Sequence, residues 1–416
     1  MTRGSERAAA APMQTADDMS DRTCMAARRD MSSRPGAITT AWALLAALAT
    51  GCCATQPTGG ETPSVGGSND PGHGGHGGEH GGDHGGEHGG EHGGEHGGGD
   101  GPRPTLPGAQ VEFAVIDADE VRRRLWPEPG PPAYVAPDER QIAALSTLVR
   151  GMLTDPIAPR AELAQAASAA GYALEGWSVA GRRYLAAVEQ PNRRGGGGAY
   201  VVRVPTGEAP VGAVILQAPH GFYDLGTETI ALEMLLSEGD WPRALFVNTM
   251  HRYLGADGVR RKRANSPADP CHSDTHLLAV ATAAAVAAQP RVEVIQLHGF
   301  GDASGDKEDG ATGPQPAAIV SAGLPDAPTV RSRLIAARLR DALGVEVALF
   351  PVDTDRLGAT TNVQGRVIHA HTRTNGPGAE FIHIEMSASL RQWLRNDPAA
   401  RALLATALRR DPPGTP

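Results

Sequence analysis

The chain has 416 residues, 40% of them hydrophobic and 4% aromatic, with 47 acidic against 38 basic residues and a formal net charge of −9. That is enough apolar material for a well-buried domain of a few hundred residues, and the acidic balance, with no basic stripe interleaved by aromatics, argues against a nucleic-acid partner. Its four cysteines, Cys24, Cys52, Cys53 and Cys271, show no CxxC spacing and exclude both a disulfide framework and a cysteine-based zinc finger.

The first segment is predicted to be a leader. Residues Ala41 to Thr50, "AWALLAALAT", form an apolar run far short of the roughly twenty residues that span a bilayer, but suited to a signal-peptide core. Arg28, Arg29 and Arg34 precede it, and "ATGCC" follows. Gly51 before Cys52 matches a lipoprotein processing site, so 1–51 is expected to be removed and Cys52 to carry lipid. Met31 also opens a complete signal of this kind, so the start codon stays open. The expected product is an exported bacterial lipoprotein, its domain on the periplasmic or extracellular side of the membrane that anchors it.

The segment 52–109 is Gly/His-rich, and from Gly66 to Gly101 it collapses to little but Gly, His, Glu and Asp, with "EHGG" or "DHGG" repeated around His80, His84, His88, His92 and His96. Lacking apolar side chains, such a segment cannot offset its ordering entropy and is expected to be a disordered tether with a reach of about 40 Å. Its imidazoles and carboxylates also suit low-affinity capture of zinc, copper or nickel.

The remaining 110–416 is expected to be one α/β domain, with 110–205 as its N-terminal elaboration. Two helices are predicted over "DERQIAALSTLVRGML" and "RAELAQAASAAG", then a hairpin of "RRYLAAVEQ" and "AYVVRVP" around "NRRGGGG". Continuous apolar runs then alternate with helical segments: "VGAVILQAP", "TETIALEMLLSEG", "RALFVNTM", "SDTHLLAVATAAAVAAQ", "VEVIQLHGF", "TVRSRLIAARLRDALG", "VEVALFPV" and "AEFIHIEMS". This pattern predicts a three-layer α/β/α sandwich around a mostly parallel mixed sheet. Ser273 or Asp274 is the expected cap of the alanine-rich helix.

Ligands in such sheets gather beyond the carboxyl ends of the strands. "AVILQAP" leads into His220, "ALFVNTM" into His251 and Arg252, "VEVIQL" into His298, and "EFIHI" into Glu385. A zinc hydrolase needs three protein ligands, commonly two histidines and a carboxylate, plus a free carboxylate as general base. His220, Asp224 and His298 are the candidate ligands and Glu385 the candidate base. Glu228 is the alternative carboxylate; in a helix that begins at Thr227 it falls in the first turn, where it serves the helix dipole instead. Arg252, Arg366 and Arg373 are candidates for holding a substrate carboxylate, the last two from loops, because the guanidinium fork pairs bidentately with a carboxylate. His369, His371 and Arg373 are expected on a cleft rim, and His272 and His276 in a polar loop. The sequence lacks HExxH, GxSxG and Walker motifs, and Cys271 has no recognisable nucleophile setting.

These segments carry a resemblance. "PHGFYDLGTETIA" resembles the first metal motif of the phage-type poly-γ-glutamate hydrolases, with Asp224 in the place of their glutamate ligand. "VIQLHGF" resembles their second histidine motif, and "GAEFIHIEMSASLR" the closing motif that carries their catalytic glutamate. The same order of features occurs in N-formylglutamate amidohydrolases, and both groups belong to the zinc carboxypeptidase-like superfamily. The resemblance covers roughly 211–395. It implies zinc as the cofactor and hydrolysis of an amide or isopeptide bond beside a carboxylate, as in a γ-glutamyl, formyl-amino-acid or cell-wall peptide substrate. The chain departs from the pattern at His251-Arg252, where the relatives have Asn-Arg, and at His383, where they often have glutamine. Two other classes stay open on sequence alone: a metal-binding or metallochaperone lipoprotein, and a non-catalytic peptide-binding module on the same fold.

Overall fold

A computed structural model describes residues 112–410, apart from 129, 155–159, 206–212, 238, 263–265, 290 and 302–314. The leader, Cys52 and the Gly/His-rich segment lie outside the described residues. Among the described residues no helix is long and apolar enough to cross a membrane.

One sheet of ten strands organises the described chain: β1 (Phe113–Val115), β2 (Tyr172–Val179), β3 (Arg182–Glu189), β4 (Ala199–Arg203), β5 (Val214–Ala218), β6 (Ala244–Val247), β7 (Glu293–Gly299), β8 (Ala318–Ser321), β9 (Val347–Leu349) and β10 (Glu380–Met386). Their order across the sheet is β1-β2-β3-β4-β6-β5-β7-β10-β8-β9. The neighbours β6, β5, β7 and β10 all run parallel, while β2, β3 and β4 form an antiparallel extension and β8 pairs antiparallel with β10. The predicted hairpin is β3–β4. It joins the main sheet through β4 and β6, so residues 113–203 extend this sheet. Strand β2, which no sequence expectation named, pairs along its full length with β3.

Helices cover both faces, as the continuous apolar strands required. On one face lie α1 (Ala118–Leu125), α4 (Thr227–Leu236), α6 (Val330–Leu343), α8 (Ala388–Asn396) and α9 (Pro398–Leu408). On the other lie α2 (Glu139–Thr154), α3 (Arg160–Ala170), α5 (Leu277–Ala288) and α7 (Val363–Asn375). The central strands divide their side chains between two cores: Leu216, Ile295 and Ile384 go to the first, Ile215, Val294 and Phe381 to the second. This is the expected three-layer α/β/α sandwich.

Two helix assignments differ from expectation. The stretch expected to be loop around Arg366 and Arg373 is helix α7, started by Asn362, whose side chain accepts from the Gly365 N–H. The cap of α5 is His276 rather than Ser273 or Asp274: its Nδ1 accepts from the Leu278 N–H at 3.1 Å. Its ring is buried and stacks on Tyr134 with centroids 5.8 Å apart, and burial lowers its pKa to about 4.

Candidate metal centre

The second core face changes character along the central strands. Towards their carboxyl ends Ile215 gives way to Gln217 on β5, Val294 to Gln296 and His298 on β7, and Phe381 to His383 and Glu385 on β10. Because side chains on one face repeat every second residue, these polar groups rise as one column at the edge where four parallel strands end. The pairing of β7 with β10 sets Glu385 beside His298 and His383 beside Gln296.

His220 and Asp224 come from the turn that follows β5. The His220 carbonyl accepts from the N–H groups of both Tyr223 and Asp224 at 2.7 Å, which folds Asp224 back over the histidine. Gly226, at φ +96°, then lets the chain enter α4; only glycine adopts that conformation without strain. Glu228 accepts from the Gly226 N–H at 3.0 Å and serves the helix start, as its sequence position predicted.

The three proposed ligand atoms converge. Asp224 Oδ2 lies 3.4 Å from His220 Nδ1 and 3.2 Å from His298 Nδ1. Donors about 2.0–2.1 Å from a tetrahedral zinc stand about 3.3 Å from one another. Both rings are turned by partners on their far nitrogens: His220 Nε2 faces Asp269 Oδ1 at 2.9 Å and His298 Nε2 faces Gln296 Oε1 at 3.2 Å. Such outer partners fix the tautomer that offers the other nitrogen to a metal. The set therefore fits a divalent ion.

Asp269 and Gln296 were not anticipated from sequence. Asp269 also accepts from the Cys271 N–H at 3.0 Å and pairs with Arg252 and His272. Gln296 is a hub: its Oε1 accepts from Asn362 at 2.8 Å, and its Nε2 donates to Gln217 Oε1 at 2.7 Å and Gln364 Oε1 at 3.2 Å. Asp269→Asn is expected to weaken metal affinity by about 10- to 100-fold while leaving the ligands in place, measurable by competition against a chelator; unchanged affinity would remove Asp269 from any role in orienting His220.

Cys271, set aside on sequence, is buried here. Its Sγ lies 3.8 Å from His298 Nε2, and one donor atom from each of His220, Cys271 and His298 falls within 4.8 Å of the others. A second such group joins His298, His383 and Glu385. His383 Nε2 lies 3.5 Å from Glu385 Oε1, while His383 Nδ1 and Glu385 Oε2 are buried without a hydrogen-bond partner among the described residues.

Electrostatics follow from this crowding. Burial, opposed chiefly by the His298 charge, raises Glu385 to about 7. Burial also opposes charge on the two histidines, but Cys271 and Asp224 beside them, and Asp269 beside His220, outweigh it. His220 is raised well above its ordinary value and His298 to about 9. Burial would raise the Cys271 thiol, yet the same histidines bring it down to about 6. At pH 7 metal-free His298 thus holds a proton that a metal must displace. Metal uptake is expected to release about one proton from it and to weaken as pH falls below about 9. Titration calorimetry in buffers of different ionisation enthalpy reads this directly, and a buffer-independent heat would contradict it.

The arginines divide. Arg252 reaches the centre: Nη1 lies 3.1 Å from His220 Nδ1, Nη2 pairs with Asp269, and the guanidinium sits 5.5 and 5.1 Å from the ring centres of Tyr223 and Tyr253. Its fork is thus engaged within the protein, and a cation at Nδ1 would displace the first of these contacts. Arg366 and Arg373 are exposed on α7 rather than on loops, and no hydrogen bond or ion pair among the described residues ties either to the centre. His369 and His371 share that helix, His369 facing the Ala322 carbonyl at 2.9 Å. Arg391, the last residue of the closing motif, fastens the loops around the site by donating to the carbonyls of Leu225, Phe300 and Met386. A β-carbon at Gly299 would meet that guanidinium, so a larger residue there would have to displace Arg391 from its place.

The fold and its strand-end cluster define an α/β protein with a candidate metal centre of imidazole and carboxylate donors. No protein-family model matches the sequence, and a search of curated proteins finds no match. Among solved structures, the chain is similar to N-formylglutamate amidohydrolase from Ralstonia eutropha JMP134 at 14% identity and TM-score 0.30, over 50% of this chain and 96% of that one. It is also similar to a metallo-carboxypeptidase from Burkholderia cenocepacia at 15% identity and TM-score 0.31, over 50% of this chain and 59% of that one. A third is leucyl aminopeptidase from Trypanosoma brucei, at 10% identity and TM-score 0.28, over 64% of this chain and 60% of that one. At these scores the functional reading rests on the residues of the site.

Proposed function

We propose that the chain is a zinc-dependent hydrolase of an amide or isopeptide bond beside a carboxylate, held to a membrane through lipid on Cys52. The observation that carries this reading is the convergence of Asp224 Oδ2 on the Nδ1 atoms of His220 and His298, next to a buried glutamate with one free oxygen. When bound, the ion supplies Lewis acidity toward the amide carbonyl and makes water easier to deprotonate. Glu385, with a pKa of about 7, is suited to take a proton from water and return it to the leaving amine near neutral pH. Its free Oε2 is the acceptor for that proton. Asp269 holds the His220 ring, Gln296 holds the His298 ring, and Arg391 ties the loop bearing Asp224 to the end of β10, which carries Glu385.

Arg252 is the proposed partner for the substrate carboxylate because it is the arginine that reaches the centre and its charge lies at the rim between two tyrosines. It would exchange the His220 contact for the substrate while keeping its bond to Asp269. The substrate class is an acidic amino-acid amide or a small peptide, of γ-glutamyl, formyl-amino-acid or cell-wall type.

Metal analysis of the purified protein, followed by a screen of γ-glutamyl, formyl-amino-acid and muropeptide substrates, tests this reading. About one zinc per folded domain and turnover of one of these classes are expected. A protein that takes up no zinc after reconstitution is not this enzyme. One that binds zinc tightly, with no dependence of any activity on Glu385, is a metal-binding lipoprotein instead.

A further inference from the structure

The hydrolase reading leaves one buried donor unused. Cys271 sits on the loop between β6 and α5, two residues beyond Asp269, with its backbone N–H bonded to Asp269 Oδ1. Its sulfur approaches His298 from the Nε2 side, opposite the Nδ1 atom that faces Asp224. His298 therefore presents one donor to a carboxylate oxygen on one side and the other to a sulfur on the opposite side, and His220 lies near both.

The oxygen and the sulfur differ in softness. Carboxylate oxygen accepts hard and borderline cations, zinc among them, whereas thiolate favours softer ions such as Cu(I). A tetrahedral ion with nitrogen at about 2.0 Å and sulfur at about 2.3 Å separates these donors by about 3.5 Å. The Cys271–His298 distance of 3.8 Å needs only a few tenths of an ångström of closure. His220 completes the group, within 4.8 Å of both.

We propose that the centre has a second, thiolate mode of metal binding, in which His220, Cys271 and His298 hold a thiophilic cation and Asp224 is not a ligand. On binding, the Cys271 S–H bond breaks, its proton passes to solvent, and a sulfur–metal bond forms; no oxidant or reductant takes part. Because His298 turns its Nε2 to the ion in this mode, it gives up Gln296, and the ion moves away from Asp224. A thiophilic ion thereby withdraws both histidines from the zinc position. The inference rests on the reading that His220 and His298 are metal ligands, and not on hydrolysis.

The test is spectroscopic. Metal-free full-length protein receives one equivalent of cadmium(II), and the thiolate-to-cadmium charge-transfer absorption is recorded for the parent, Cys271→Ser, Cys271→Ala and Asp224→Asn, with circular dichroism to show that each is folded. The expected result is a band in the parent that falls to a small fraction in both Cys271 variants and persists in Asp224→Asn. A parent without the band overturns the proposal whatever the variants do, and so does a band of parental size in folded Cys271→Ser, which would place the thiolate elsewhere in the chain. Loss of the band in folded Asp224→Asn also overturns it, because a single site would then use both third ligands. Zinc content, measured in parallel, separates the two readings: zinc uptake without a cadmium band sinks the thiolate mode alone, whereas a cadmium band without zinc uptake supports the thiolate mode and sinks the zinc hydrolase.

Discussion

Glu385→Gln is expected to retain metal and to lose turnover by about 10² to 10⁴, the usual contribution of a positioned acid–base group. Glutamine keeps the length of the side chain and can still accept at one oxygen, so the contact with His383 Nε2 at 3.5 Å survives. What disappears is the buried Oε2, without a partner among the described residues, that is proposed to take the proton. Removing a carboxylate that burial has raised to about 7 also relieves a desolvation cost, so the variant should be no less stable than the parent. Metal content, melting temperature and turnover measured together distinguish this outcome from general damage. Turnover within a few-fold of the parent would mean that Glu385 is not the base, whatever the ligands do.

His298→Ala is expected to fail in a different way. In the proposed centre the ring supplies one of three ligand atoms, so its loss should weaken metal binding by more than the roughly 10- to 100-fold attached to an outer partner, and activity should fall through loss of metal. The ring also fills space: its centroid lies 4.7 Å from that of His220 and 4.5 Å from that of His383, and its removal leaves Gln296 short of one partner. A large-to-small change at such a buried position commonly costs about 2–5 kcal/mol, so the metal-free form should also melt earlier. Bound zinc after dialysis is the deciding measurement. Full zinc occupancy in His298→Ala would show that the metal is held elsewhere.

The strand-end residues were legible because a parallel α/β sheet turns position in sequence into position in space. His220, His298 and Glu385 each follow or end an apolar run, and the runs lie side by side. The outer partners were not legible for the opposite reason. Asp269 and Cys271 sit in a polar loop with no period to place it, and only tertiary packing brings that loop against His220. A usable signal did exist in the strands: Gln217 and Gln296 are uncharged amides inside otherwise apolar runs, and buried amides demand partners. Helix α7 was mistaken for loop because Gly365 and its β-branched neighbours weaken helix propensity, which the Asn362 cap and packing of Ile368 into the core overcome. Arg366 and Arg373 were misplaced with it.

The pairing of Glu385 with His298 across β10 and β7 has an evolutionary meaning. Chemistry and hydrophobic burial are written on alternate residues of the same seven-residue strand, so neither can be edited alone. Inserting or deleting one residue within Glu380–Met386 would turn Ile382 and Ile384 toward the metal and drive two ionisable side chains into an apolar core. A change in the length of β10 is therefore far less tolerable to descendants of this chain than the exchange of one of its core side chains for another.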